Sequence, residues 1–357
     1  MSTFPLPMKP PFKKTAIHAA MESPQVGLPG ASRVTFIVAP IPKKIFKPGP
    51  FRLSKISDEY PYLSHLLNAI VQEKIRELPD FSDDRNIAVM SDIGGEHEAA
   101  RFVTYSFLFL AYNKVGPFEE KVKALREKYG LLTPYGEFAY KRLRSGAKSR
   151  ALGEYLEIVD SYIHGAVITI AIDTNIKTVF GKERKQVHPI VTEQLESQGL
   201  GIWTGPAAER VLRVTHIIAA FSELLTYENQ GLFWYCDNDQ INDDGKKRSF
   251  KHTQQILDRA LNMYLTHKLD KLGMGKSFDG KSHLDDLLSV PDLAAGVVQD
   301  LLFQHETGND VPGGDEKMMV MRWIATPAKH LAKINVQITR MNNGEIGCGS
   351  IDMTVPQ

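Results

Sequence analysis

The chain has 357 residues, 43% of them hydrophobic, and sets 43 Lys+Arg against 42 Asp+Glu. That balance excludes a polyelectrolyte tail and a disordered solvating chain, and the length supplies one large or two modest domains with ample core. Two cysteines, Cys236 and Cys348, exclude a disulfide framework and a four-thiolate metal site and suit a reducing, cytoplasmic setting. No apolar run approaches the roughly 20 residues that span a bilayer, and the first residues lack a secretory signal pattern, so a soluble protein is expected.

Neutrality hides an asymmetry. Residues 1–55 carry nine basic residues and one acid, a net +8, with ten of the 20 prolines, and leave −7 on the remainder. Residues 1–56 therefore read as an extended basic arm holding one strand, Arg33–Val38. A basic arm ahead of an acidic body suits an anionic polymer, although each lysine taken alone is most simply a solvated surface residue.

A helical lead-in fills 57–84, where Leu63, Leu66, Leu67, Ile70, Val71 and Ile75 repeat at helical spacing over 57–78. Arg85–Asp92 reads as a buried strand, Gly94-Gly95 as a turn and Arg101–Tyr112 as a second strand, together a hairpin. Phe118–Tyr129, ended by Gly130, and Ala147–Tyr162 read as amphipathic helices. Ala166–Asp173 is the strongest strand, apolar without alternation and so expected to be buried on both faces, as in a central parallel strand. A helix at Ala207–Leu225, a strand at Gly231–Asp237, a helix at Lys251–Lys268 and a short helix at Pro291–Phe303 follow. The chain closes with a Gly/Pro/Asp loop at 308–315 and a hairpin turning at Asn343-Gly344. The succession predicts an α/β fold with a mixed sheet and helices on its faces. The N-terminal strand and the terminal hairpin offer edges that pair within the chain or across a homodimer.

Several motifs fail. Gly275-Lys276-Ser277 resembles the end of a phosphate-binding loop, but the first glycine falls at Asp270 and a helix is predicted before it. The stretch from Asp237 to Arg248 departs from a calcium loop at Ile241, Asn242 and Arg248. The 11 histidines form no zinc pattern, no Gly-x-Ser-x-Gly elbow is present, and Cys236 reads as a core thiol.

What survives is a set of acids at the ends of core elements. Asp92, Asp173 and Asp237 end strands, and Asp292 opens the late helix. The carboxyl ends of parallel strands in an open α/β sheet converge on one crevice, so these acids can meet. Singly, each is a plausible turn or cap residue: Asp92 before Ile-Gly-Gly, Asp173 before Thr-Asn, and Asp292 in a capping box with Ser289. Jointly they are costly without a cation, and carboxylate-only ligation points to Mg²⁺ or Mn²⁺.

The ordered set of strand-Asp92, hairpin, Gly136-Glu137-Phe138-Ala139-Tyr140-Lys141, basic helix, strand-Asp173, helix, strand-Asp237, helix and Pro291-Asp292-Leu293-Ala294-Ala295-Gly296 resembles the ribonuclease H-like superfamily. More narrowly, it is similar to an uncharacterised branch whose first motif is Asp-Glu-Ser-Gly. The resemblance covers about residues 85–305 and leaves 306–357 as a C-terminal extension. It implies a ribonuclease H-like mixed sheet and a metal-dependent nuclease, with Asp92 as first-strand ligand, Glu137 starting the next helix and Asp292 completing the site. The remaining ligand is Asp173, whose strand the superfamily topology is read as setting beside the first, or Asp237, which is ranked slightly ahead. Two departures fall at Ile93-Gly94-Gly95, where the branch has Glu-Ser-Gly, and at Ala139, where it commonly has Lys. Lys141, Arg142, Arg144, Lys148 and Arg150 follow Glu137 and are the candidate phosphate contacts, and Lys246, Lys247, Arg248 and Lys251 form a second run. The rival expectation is a catalytically inert nucleic-acid-binding or assembly protein on the same scaffold.

Overall fold

Apolar runs without polar alternation build the sheet, and helices with one apolar stripe cover it. The computed structural model describes residues 45–54, 56, 62–95, 100–133, 135–144, 146–237, 241–242, 247–277, 282–309, 314–341 and 344–353. The arm strand expected at Arg33–Val38, the first turn of the lead-in helix and Asn343 of the hairpin turn lie outside those residues.

In chain order the elements are β1 (Phe46–Pro48), α1 (Tyr62–Glu73), β2 (Glu77–Pro79), β3 (Asn86–Gly94), β4 (Phe102–Ala111), α2 (Gly116–Tyr129), α3 (Gly146–Tyr162) and β5 (Gly165–Asp173). They continue with α4 (Arg184–Ser197), α5 (Gly205–Leu225), β6 (Gly231–Cys236), α6 (Phe250–Tyr264), β7 (Lys271–Lys276), α7 (His283–Thr307), α8 (Asp315–Ala325), β8 (Leu331–Arg340) and β9 (Ile346–Ser350). β1 and β2 pair as a small antiparallel ribbon. The other seven strands form one mixed sheet in the order β7-β6-β3-β4-β5-β8-β9. The meander β3-β4-β5 is antiparallel, β6 and β7 add in parallel on the far side of β3, and β8 adds in parallel to β5 before turning back into β9.

Strand alternation assigns the faces. Ile87 and Val89 of β3 join the apolar layer of α1, α5 and α6, whereas Ala88 and Met90 join that of α2, α3, α7 and α8. All nine residues of β5 are buried, as its unbroken apolar run predicts, and the strand is central with β4 antiparallel on one side and β8 parallel on the other. Helix α2 stops where Gly130 takes a left-handed φ of 67°. The terminal hairpin turns through Gly344 at φ 82°.

Four features depart from the sequence reading. The late helix begins at His283, eight residues before Pro291, because Ser282 and Asp285 form the capping box there. Asp292 is therefore a mid-helix residue rather than an opening one, and Ser289 caps nothing: its hydroxyl donates to Asp285 O at 2.9 Å. Helices α4 and α8 and strands β1, β2 and β7 were not read from sequence; α1 ends at Glu73, and β2 takes residues that read as the end of the lead-in helix. Gly275 and Lys276 lie within β7 rather than in a loop after it, and Asp270 denies the stretch a phosphate loop's glycine spacing. Finally, β4 separates the Asp173 strand from β3, and the parallel neighbour of β3 is β6, whose last residue, Cys236, precedes Asp237.

Candidate functional site

Register brings two of the acids to one level of the sheet. Asp92 pairs with Ser106 of β4, and its neighbour Ser91 pairs with Cys236 of β6. Asp92 is one residue further along β3, and Asp237 is the first residue past the end of β6, so the two follow paired residues of adjacent parallel strands, about 4.8 Å apart in such a sheet. Alternation turns both toward the α7 layer, with Ala88 and Met90 on β3 and Phe233 and Tyr235 on β6. This is also where the chain's connections diverge, β3 running to β4 on one side while β6 lies on the other, the position at which open α/β sheets bind ligands.

Helix α7 lies across that edge. Thr104 Oγ1 donates to Ala295 O at 3.1 Å, and a Cβ on Gly94 would stand 2.5 Å from Thr104 Oγ1 and 3.3 Å from the Ala295 methyl. Gly95, at φ 78°, would drive a Cβ to 2.2 Å from Phe102 O. Glycines at 94 and 95 are therefore required by close packing of β3 under α7 and against β4.

Asp292 sits one helical turn before Ala295. Its carboxyl is pushed up to about 6, chiefly by burial and then by the carboxylates of Glu137 and Asp237, while the Tyr140 N–H and Lys141 pull the other way. Glu137 and Asp237 are thus each within electrostatic reach of Asp292, and Asp92 follows Ser91, the residue paired with Cys236, which precedes Asp237.

Glu137 reaches this place on an irregular segment, not on a helix start: a single 3-10 turn at Tyr140–Arg142 follows it, and α3 begins only at Gly146. The segment is held by its backbone. Phe138 N donates to Ser289 Oγ at 3.1 Å, Tyr140 N to Asp292 Oδ2 at 2.9 Å, and Arg126 Nη1 donates to Gly136 O at 3.0 Å. The Phe138 ring stacks on Tyr155 at 4.2 Å, and the Tyr140 ring occupies the space above Gly296, where a Cβ would come within 2.2 Å of it. Beneath lies a buried network that sequence reasoning missed. Arg126 Nε donates to Asp286 Oδ1 at 3.0 Å, Tyr135 OH also donates to Asp286, and the Arg126 guanidinium lies 3.9 Å from the Tyr135 ring centre. Arg126 looked like an ordinary residue on a charged helix; the buried Asp285-Asp286 pair just before an apolar run was the available signal.

Asp173 stands apart. Thr169 of β5 is level with Ser106 and hence with Asp92, so Asp173 lies four residues further along and two strands across, about 16 Å away. Its carboxylate accepts from Arg101 Nη2 at 2.8 Å and from the Asn175 N–H at 2.7 Å, the geometry of a turn residue.

The basic residues flank the acids unevenly. Arg142 faces Glu137 at 3.6 Å. Lys148 is half-buried, and its amine is pulled below the usual lysine range by burial and then by Arg142, against the pull of Glu137. Lys141 acts on Asp292. Arg144 lies toward Glu316 of α8, and Arg150 is exposed on α3. Of the second run, Lys246 lies outside the described residues, and the Arg248 guanidinium lies 4.3 Å from the Trp203 ring centre.

The donor chemistry fits a hard divalent ion: all the donors are carboxylate oxygens, and a cation would offset both the burial that chiefly raises Asp292 and the repulsion from Glu137 and Asp237 that adds to it. Among the described residues, no three His, Cys, Asp or Glu side chains group closely enough to share an ion. Among the same residues, no helix is long and apolar enough to cross a membrane.

No protein-family model and no curated protein matches the chain. Among solved structures the chain is similar to ribonuclease H2 from Pyrococcus horikoshii, with 10% sequence identity over 67% of this chain and 85% of that one and a TM-score of 0.31.

Proposed function

We propose that the protein is a metal-dependent nuclease that hydrolyses phosphodiester bonds at the edge of the sheet where β3 and β6 end. The observation that carries this reading is geometric: Tyr140 N donates to Asp292 Oδ2 at 2.9 Å, which ties the Glu137 segment to the helix lying over the β3–β6 edge where Asp92 and Asp237 stand. The carboxylates of Glu137 and Asp237 add to the rise that burial gives Asp292. Asp92, Glu137, Asp237 and Asp292 would hold Mg²⁺ or Mn²⁺, which when bound would activate water and stabilise the leaving oxygen. The chain's own residues do the rest. The Tyr140 N–H fixes the rotamer of Asp292, and the backbone bonds of Phe138 and Gly136 fix the approach of Glu137. Lys141, Arg142 and Lys148 make the negative potential that four carboxylates would present to a phosphate less negative, and Arg144, just before α3, and Arg150, on it, extend that basic flank. Asp173 has no part in this reading.

A second reading, a nucleic-acid-binding or assembly protein without catalysis, has one observation in its favour: the carboxylates do not close on a shared ion among the described residues. Labelled single- and double-stranded DNA, RNA and hybrid, incubated with protein in Mn²⁺ and with EDTA as control, separate the two. Cleavage in Mn²⁺ that EDTA stops, and that Asp92→Asn and Asp292→Asn lose, supports the nuclease. Binding without cleavage of any of the four supports the inert protein.

A further inference from the structure

A cavity of 1470 Å³ opens on the same face and at the same edge of the sheet, between the second half of α7, α8 and the β8–β9 hairpin. Phe102, Leu302, Met321 and Ile351 give it apolar walls, and Arg101 and Arg322 stand among its lining residues. Gln337, on its floor, is two residues past Asn335, which is level with Asp92 through Ser106 and Thr169. Three strand spacings and two residues separate them, about 16 Å. Arg101, on the cavity lining, is held by acids, with Nη2 on Asp173 at 2.8 Å and Nε facing Glu306 at 3.8 Å.

We infer that this cavity receives a single-stranded segment of the nucleic acid adjoining the bond that is cut, so that the substrate class is a strand with an unpaired tail. The inference rests on the nuclease reading and deepens it. The volume exceeds the 300–1,000 Å³ typical of small-molecule sites, which favours several linked units over one compact ligand. Apolar walls with thioethers accept the faces of unpaired bases, and an exposed arginine beside them meets a phosphate between bases. Glu306 and Asp352 also line the cavity, so its charge is mixed and the phosphate contact is assigned to Arg322, which is exposed on α8. A duplex presents its bases stacked inside and gives the apolar walls nothing to hold. At about 3.4 Å per stacked nucleotide, some five nucleotides reach from Asp92 to the cavity.

The test is the binding of fluorescently labelled single strands of 3 and 12 nucleotides and of a blunt 12-base-pair duplex, in EDTA, over a range of salt. Wild type is expected to bind the 12-mer at least tenfold more tightly than the trimer. Arg322→Gln should weaken the 12-mer about tenfold and reduce its log–log salt slope by about 0.7, the loss of one single-strand phosphate contact, while leaving the duplex unaffected. Met318→Glu, at a second exposed position on the cavity wall, should weaken the 12-mer by a similar factor. If wild type cleaves nucleic acid but both variants bind the 12-mer with wild-type affinity and slope, the cavity assignment is overturned and the carboxylate site stands. If wild type neither binds nor cleaves any of the substrates, both readings fall.

Discussion

The backbone N–H of Tyr140 donates to Oδ2 of Asp292 at 2.9 Å and so ties the irregular segment that carries Glu137 to the middle of α7. Two acids 155 positions apart in sequence are placed by one bond, and the Gly296 gap under the Tyr140 ring and the Phe138 stack on Tyr155 keep it in place.

Asp292 makes stability depend on pH. Its folded pKa of about 6 lies above the ordinary carboxyl value of 3.8. Between about pH 4 and 6 the folded protein retains a proton that the unfolded chain has lost, so stability falls as pH rises through that window and stays lower above it. About two units correspond to at most about 3 kcal/mol. Urea unfolding of wild type and Asp292→Asn at pH 4.5 and 7.5 should show this fall as the difference between the two proteins, wild type losing more stability on going to pH 7.5 than the variant.

Gly296→Ala should be costly out of proportion to one methyl group. The new Cβ meets the Tyr140 ring, whose hydroxyl donates to Asp300 Oδ2 at 2.7 Å, so the ring cannot withdraw without breaking that bond. A loss of about 1–3 kcal/mol, measured by chemical denaturation, is expected, together with loss of cleavage through displacement of Glu137.

Arg126 and Asp286 are both buried, and removing one leaves the other charge unpaired. Arg126→Met or Asp286→Leu alone should cost about 3–5 kcal/mol, and the double variant should recover a large part of it. A double-mutant cycle by thermal or urea unfolding measures the coupling.

Asp173→Asn separates the structural acid from the site acids. Losing the charge that Arg101 and the Asn175 N–H hold should cost about 1–2 kcal/mol, whereas cleavage should fall by less than tenfold. Abolished cleavage in this variant, with the fold intact by circular dichroism, would restore Asp173 to the site.

The strands of the sheet's centre were legible because Arg85–Asp92, Arg101–Tyr112, Ala166–Asp173 and Gly231–Asp237 are long apolar runs that only a two-sided sheet can bury. Strand β7 was not, because Lys271-Leu-Gly-Met-Gly-Lys276 has little strand propensity; its glycines face the Phe233 and Tyr235 rings, a pairing that no local pattern announces. Pro291 hid the true start of α7, since a proline reads as a helix's first turn, and the Ser282–Asp285 capping box two turns earlier outweighs it. Among the acids, sequence marked strand ends without telling which strands are neighbours. Adjacency of β6 to β3 favours Asp237, and Arg101 accounts for Asp173.

The central claim is that Asp92, Glu137, Asp237 and Asp292 share divalent ions, and the thermal melt of the protein with and without Mn²⁺ at pH 7.5 tests it most directly. An ion at about a hundred times its dissociation constant should stabilise the fold by about 2.7 kcal/mol and raise the melting temperature by several degrees. Asp92→Asn should melt higher than wild type without metal and gain little from adding it. A wild-type melting temperature that Mn²⁺ and Mg²⁺ leave unmoved, or an Asp92→Asn variant that responds as fully as wild type, would contradict the shared site.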